Sequence, residues 1–250
     1  VILMPMANPP AALAGRRVSP IDGGNLNRSF PGNPAGAPTD MIAHYLEHVV
    51  LPRCDYLVDL HSGGHSLIYP ATLLRGPGAD AEEAAKLRSL QDAFDLPWAW
   101  VFTSGGGRGS TARTAMGAGN RNGCVSIMAE LGGGGGVSPG VLDRAERGLR
   151  RVLHSLGMLP GYRPDAARGT RPVHALGTVY AYDAGVLEPV HEIGDPVEKG
   201  QVVARIHTPD APWRAAIEVA SPHDGLVLAR RALGRVARGD AICQIARDAD

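Results

Sequence analysis

Apolar positions over the first 160 residues follow two periods. Short continuous runs predict buried strands at residues 1–5, 55–60 and 124–129. Between them the spacing becomes helical. Met41, Ile42, Tyr45, Leu46, Val49 and Val50 follow Thr39, a residue suited to capping a helix. Ala84, Leu87, Leu90 and Phe94 repeat the pattern over residues 81–94. A third helix is predicted from Ser138-Pro139, with proline in its first turn, through Leu142, Leu149, Val152, Leu153 and Leu156 to a stop at Gly157. Strands alternating with helices predict an α/β sheet. Residues 1–5 read as a strand entered midway, so the first domain, residues 1–160, is expected to be incomplete at its N-terminus.

The texture changes after residue 160. A linker over residues 161–172, rich in Pro, Arg and Gly, leads to residues 173–250, where short β-type runs alternate with turn signals. This segment echoes itself. Gly185-Val-Leu-Glu, Gly194-Asp-Pro-Val-Glu-Lys-Gly200 and Val202-Val-Ala-Arg-Ile206 return as Gly225-Leu-Val-Leu, Gly234-Arg-Val-Ala-Arg-Gly239 and Ala241-Ile-Cys-Gln-Ile245. Two such half-units predict a small all-β barrel-sandwich domain, and the pattern resembles the biotinyl/lipoyl type. The turn that would present a carrier lysine, Pro209 to Pro222, has none, which argues against covalent carriage.

Composition narrows the classes of partner. Basic and acidic residues balance at 25 each, and the lysines are Lys86 and Lys199 alone, so no concentrated positive field exists for nucleic acid. Cys54, Cys124 and Cys243 are odd in number and far apart, which favours neither a disulfide framework nor a thiolate metal site and suits a reduced, cytoplasmic setting. No apolar run approaches the roughly 18 residues of a membrane span. A homo-oligomer is left open.

Chemistry gathers at the ends of predicted strands, where open α/β sheets bind ligands. Asp59-Leu60-His61-Ser62-Gly63-Gly64 places an imidazole between a strand and a glycine turn. His61 there is either a metal ligand or a histidine satisfied within its turn. Ala129-Glu130-Leu131-Gly132-Gly133 places a carboxylate in the same way. Glu130 suits a general base beside a metal, or an acceptor for the amides of the glycine run. The long segment from Met6 to Pro38 carries Arg16, Arg17 and Asp22-Gly-Gly-Asn-Leu-Asn-Arg-Ser-Phe-Pro-Gly32. Guanidinium forks of this kind bind carboxylates or face a developing oxyanion, whereas Arg16 reads as a surface charge. His44-Tyr-Leu-Glu-His48 spells an inverzincin-like string. On a helical wheel the apolar stripe opposes His44 and Glu47, which predicts that both face solvent; His65 reads as a rim residue.

In this order, Asn-Pro-x-Ala, Asp-Gly-x-Asn-Leu-Asn-Arg-x-Phe-Pro-Gly, Asp-Leu-His-Ser-Gly-Gly and Ala-Glu-Leu-Gly-Gly resemble the succinylglutamate desuccinylase/aspartoacylase family of zinc hydrolases. The motifs span residues 1 to about 160, and the trailing barrel is similar to the family's C-terminal domain. Within the family the flavour is nearest to deacetylases of N-acetyl-diaminobutyrate. The resemblance implies a three-layer α/β/α, zinc-carboxypeptidase-like domain and a Zn2+-dependent deacylase acting on a small N-acyl amino acid, of N-acetyl-diaminobutyrate, N-succinylglutamate or N-acetylaspartate type. It makes His61 a zinc ligand, Glu130 the general base and Arg17 the group that polarises the amide carbonyl. Asn27 and Arg28 become the pair that grips the substrate carboxylate, and Arg113, selected from the stretch Arg108 to Arg121, a further substrate-contacting arginine. The other two zinc ligands are expected in an H-x-x-E motif upstream of Val1. The competing readings are a metallocarboxypeptidase-like peptidase and a non-catalytic binding homologue.

Overall fold

The computed structural model describes residues 1–102 and 111–249. In chain order its elements are helix α1 (Pro9–Leu13), helix α2 (Pro38–Tyr45) running on into a π turn (Leu46–Val50), strand β1 (Tyr56–His61), strand β2 (Leu67–Arg75), helix α3 (Ala81–Phe94) and strand β3 (Trp98–Val101). Helix α4 (Ala115–Arg121), strand β4 (Val125–Gly133) and helix α5 (Pro139–Ser155) follow. The remainder is strands: β5 (Arg171–Tyr180), β6 (Gly185–Pro189), β7 (Pro196–Val197), β8 (Val202–His207), β9 (Ile217–Ala220), β10 (Gly225–Arg231), β11 (Arg235–Val236) and β12 (Ala241–Asp248). The fold is mixed α/β. Eight strands form one sheet in the order β1-β4-β2-β3-β5-β12-β10-β7, and a smaller barrel-like sheet has the order β11-β6-β8-β9. The chain divides into two compact units, Val1–Asp59 with Arg75–Ser89 and Thr103–Met128, and Leu60–Leu74 with Leu90–Phe102 and Ala129–Asp250.

In the first unit the core is Phe30, Ala43, Leu51, Ala118 and Cys124. Helix α4 can approach the strands closely because Gly119 has no side chain: a Cβ there would lie 2.4 Å from Ser126 Oγ and 2.9 Å from Leu57 Cδ2. The long segment before α2 is fastened rather than loose. Asp22 accepts the Thr39 amide at 2.7 Å and the Thr39 hydroxyl at 2.9 Å, and Asn33 donates its amide to Asp40 O. Helix α2 therefore starts differently from its sequence signal. Pro38 occupies the first turn, the N-cap is Ala37 without a capping side chain, and Asp22 satisfies a first-turn amide from 17 residues away. Thr39 is buried beneath that carboxylate instead of capping.

Residues 1–5 correct the first strand assignment. They form no strand, and Val1 and Leu3 are 87% and 81% exposed. An apolar run becomes a strand only where a neighbour takes up its N–H and C=O groups, and the run itself carries no information on that neighbour.

In the second unit the echo in the sequence becomes a pair of strand triplets. β6-β7-β8 and β10-β11-β12 exchange their short middle strands: β10 pairs antiparallel with β7, and β6 with β11. Gly185 and Gly225 take equivalent places, where a Cβ would stand 2.2 Å from His207 O and Ala246 O respectively. Leu187, Val203, Ile206, Val219, Val227, Val236, Ile242 and Ile245 fill the interior. The triplets are not isolated from what precedes them. β5 pairs in parallel with β3, and β10 pairs with β2 through Arg230 opposite Ile68. The linker is held as well: Asp95 accepts the Arg168 and Gly169 amides at 2.9 and 3.0 Å, while Arg151 donates to Ala93 O and Asp165 O.

Candidate active site

Within the second unit, His61 is the last residue of β1 and Glu130 lies in β4, the neighbouring strand of the sheet. Both side chains are half-buried, and Glu130 Oε2 is shielded from solvent. The turns that follow them are joined by backbone hydrogen bonds. Gly63 N donates to Gly132 O at 3.0 Å, Gly134 N to Leu67 O at 3.1 Å and Gly135 N to Gly64 O at 2.9 Å. Gly133 explains the need for glycine: at φ 146° a Cβ would meet Leu67 O at 2.0 Å. His65 is exposed and its ring fills the space beside Gly135, where a Cβ would stand 2.7 Å from Nδ1.

Within the first unit, two arginines predicted to polarise the carbonyl or bind substrate, Arg17 and Arg113, lie within electrostatic reach of a third, Arg28. Desolvation holds the Arg28 guanidinium below its ordinary range, and the positive charges of Arg17 and Arg113 push in the same direction. Like charges gathered in this way favour an anionic ligand. Arg28 lies in a 3-10 turn, Leu26–Arg28, and its Nη1 donates to Asn27 O at 2.5 Å. Asn27 Oδ1 accepts the Ala115 amide at 2.8 Å, at the start of α4, so the donor side of that amide is the side suited to a carboxylate. Arg113 ends the 3-10 turn Thr111–Arg113, directly before Thr114, whose hydroxyl caps α4 by accepting the Gly117 amide. Arg108 and Ser110, also part of the stretch considered for substrate contact, lie outside the described residues.

The His44 to His48 string departs from its helical-wheel reading. Glu47 does not face solvent: it is 4% exposed and holds Arg121 through two contacts, Nε to Oε1 and Nη2 to Oε2, each 2.8 Å. Met41 and Tyr45, assigned to the buried stripe, are 49% and 57% exposed. A wheel at a constant angle per residue fails here because the helix widens into a π turn at Leu46, and because the inward face that packs Ala43 and Leu51 also admits Glu47 through its ion pair with Arg121. His44 and His48 instead lie ring to ring, with centroids 4.3 Å apart. Glu47 and Asp22 were not among the residues chosen from the sequence, and Arg121 was passed over within the stretch Arg108 to Arg121; the H-x-x-E-H string and the Asp-Gly turn were the signals for the first two.

Residues 1–156 match the family model described as the succinylglutamate desuccinylase/aspartoacylase catalytic domain. The chain belongs to this family. It is 38% identical over 249 residues to the N-alpha-acetyl-L-2,4-diaminobutyric acid deacetylase of Halomonas elongata, covering 98% of this chain and 72% of that protein. Among solved structures it resembles the succinylglutamate desuccinylase/aspartoacylase of Rhodobacter sphaeroides, with a TM-score of 0.88 at 33% identity. The product-bound ectoine utilization protein EutE (DoeB) of Ruegeria pomeroyi gives a TM-score of 0.90 at 32% identity. Each comparison covers 98% of this chain and 74% of the other.

Proposed function

We propose that the chain is a deacylase that hydrolyses the amide bond of a small N-acyl amino acid, and that its reaction is zinc-dependent. The observation that carries the reading is the 38% identity to an N-acetyl amino acid deacetylase, and the positive charges of Arg17 and Arg113 acting on Arg28 support it, since such charges suit a small carboxylate. That relative makes N-alpha-acetyl-L-2,4-diaminobutyric acid the first substrate to try. The three-layer, zinc-carboxypeptidase-like layout belongs to the same proposal.

The residues present fit zinc only in part. His61 offers one imidazole on the strand beside that of Glu130, but no group of three His, Cys, Asp or Glu side chains that could hold a metal occurs among the described residues. Glu47 is not a candidate, because Arg121 occupies both of its oxygens. A catalytic zinc site takes three protein ligands, and His61 is one candidate. When bound, zinc supplies Lewis acidity toward water and the amide carbonyl.

The chain's own groups account for the remaining work. Glu130 takes the proton of the attacking water and returns it to the leaving nitrogen; its half-buried, solvent-shielded carboxylate suits that exchange. Arg17 stabilises negative charge on the carbonyl oxygen. Arg28, Arg113 and the Asn27 amide hold the substrate carboxylate.

The test is hydrolysis of N-acyl amino acids beside dipeptides, with zinc added. Release of free amino acid from the N-acyl substrates is expected, and Glu130→Gln should lower kcat by a factor of about 10² to 10⁴ with little change in binding. Preference for dipeptides, or near wild-type turnover in the variant, would overturn the assignment.

A further inference from the structure

We propose that Glu47 and Arg121 are positioning residues for substrate binding: the buried Glu47 carboxylate aims Arg121 so that it braces the turn carrying Arg113. This rests on the functional reading above.

The argument starts from Arg121, at the last turn of α4. Two of its nitrogens are taken by Glu47, and the third, Nη1, donates to Ala112 O at 2.6 Å. Ala112 is the middle residue of the Thr111–Arg113 turn. The guanidinium thus joins a buried carboxylate to the backbone next to Arg113. A lysine could neutralise Glu47 but could not span both partners in one plane.

The turn is fixed from its other side too. Thr114 donates its amide to Thr111 O at 3.1 Å and its hydroxyl to the same oxygen at 2.7 Å. Gly117 must lack a side chain, since a Cβ would stand 1.8 Å from Thr111 O. Asn27, beside Arg28, is tied to the Ala115 amide at 2.8 Å. The turns that present Arg28 and Arg113 therefore share one support, the first turn of α4, and Glu47 with Arg121 locks Ala112 to the end of the same helix.

Stability alone is a poor reason for such a pair. Burying the Glu47 carboxylate has a desolvation penalty, and its attraction to Arg121, whose side chain stays 39% exposed, is weakened by solvent, so an apolar side chain in place of Glu47 would serve a purely structural role as well. What the ionic pair adds is direction. Arg28 already experiences repulsion from Arg113, so the spacing of those charges sets how well a carboxylate fits between them.

The experiment compares the full chain with Arg121→Lys and Glu47→Gln. Calorimetry measures binding of N-alpha-acetyl-L-2,4-diaminobutyric acid and of its carboxamide, and hydrogen exchange follows the Thr114 and Ala115 amides. In both variants the carboxylate ligand should bind about tenfold more weakly, the carboxamide should bind as before, and the two amides should exchange faster. Unchanged carboxylate affinity, or equal weakening for both ligands, would overturn the positioning role; equal weakening would mark a merely structural pair. A wild-type chain that does not prefer the carboxylate would overturn the functional reading and, with it, the role of the brace. Exchange rates unchanged in the variants would refute the brace even where the wild type shows that preference.

Discussion

At the scale of single residues, carboxylates that reach across long stretches of chain fasten the first unit. Asp22 is one of them. Its carboxylate accepts the amides of Thr39 and Gly24, the main reasons its pKa is lowered from 3.8 to about 2. A folded-state value below the unfolded one means that the charged form stabilises the fold. That stability is fully present above the unfolded value and is lost as pH falls through the folded value. Asp22→Asn should therefore lower Tm at neutral pH, and the difference from wild type should shrink between about pH 4 and pH 2 in melts followed by circular dichroism. A gap that persists at pH 2 would reject the assignment. The thiols give a second check. Burial raises the Cys124 pKa and drives that of Cys243 to about 12. Neither should react with a disulfide reagent at pH 8 in the native chain, whereas denaturation should expose three thiols. The sequence offered His61, Glu130 and the arginines as candidates because they stand in specific motifs. Asp22 and Glu47 were not among them, since their partners Thr39 and Arg121 lie 17 and 74 residues away.

At the scale of elements, periodicity succeeded where one face alone decides burial. Helix α3 spans the predicted residues 81–94, with Leu87, Leu90 and Phe94 inward, and α5 starts at Pro139 as its proline signal required. It failed where geometry is shared with a distant partner. Strand β2 was missed because Pro70 interrupts an otherwise β-like run, although the strand is buried from Ala71 to Arg75. Pattern also gave no warning of how closely α5 approaches α3. At Gly148 a Cβ would lie 2.2 Å from Phe94 Cδ1 and 2.9 Å from Phe94 O, and the second atom is backbone that cannot rotate away. Alanine gains up to about 1 kcal/mol of helix propensity over glycine. Overpacking of this kind costs about 1–3 kcal/mol, so the clash should win. Gly148→Ala is expected to lower the urea midpoint with an unchanged m-value; a stabilised variant would show that α5 shifts freely.

At the scale of the molecule, the texture change near residue 160 suggests a place to cut, and the second unit argues against cutting there. Strand β3 has its parallel partner in β5, with Trp98, Ala99 and Trp100 opposite Arg171, Pro172 and Val173. Trp98 and Trp100 pack on Val173, Leu226, Leu228 and Ala246, a cluster drawn entirely from residues after the linker. Arg171 stacks over the Trp98 ring at 5.0 Å and is paired with Asp248. Removing residues 161–250 would uncover two tryptophans, leave the β3 edge without this ladder and free Asp95 from the amides of Arg168 and Gly169. An exposed apolar strand edge is a template for aggregation. A chain ending at residue 160 is therefore expected to be insoluble, or to melt without a cooperative transition, while the 250-residue chain melts cooperatively. Soluble expression of the short form with a sharp transition would mean that β2 and β3 are stable without β5 and β10, and that the barrel strands are an appendage rather than part of the sheet that bears His61 and Glu130.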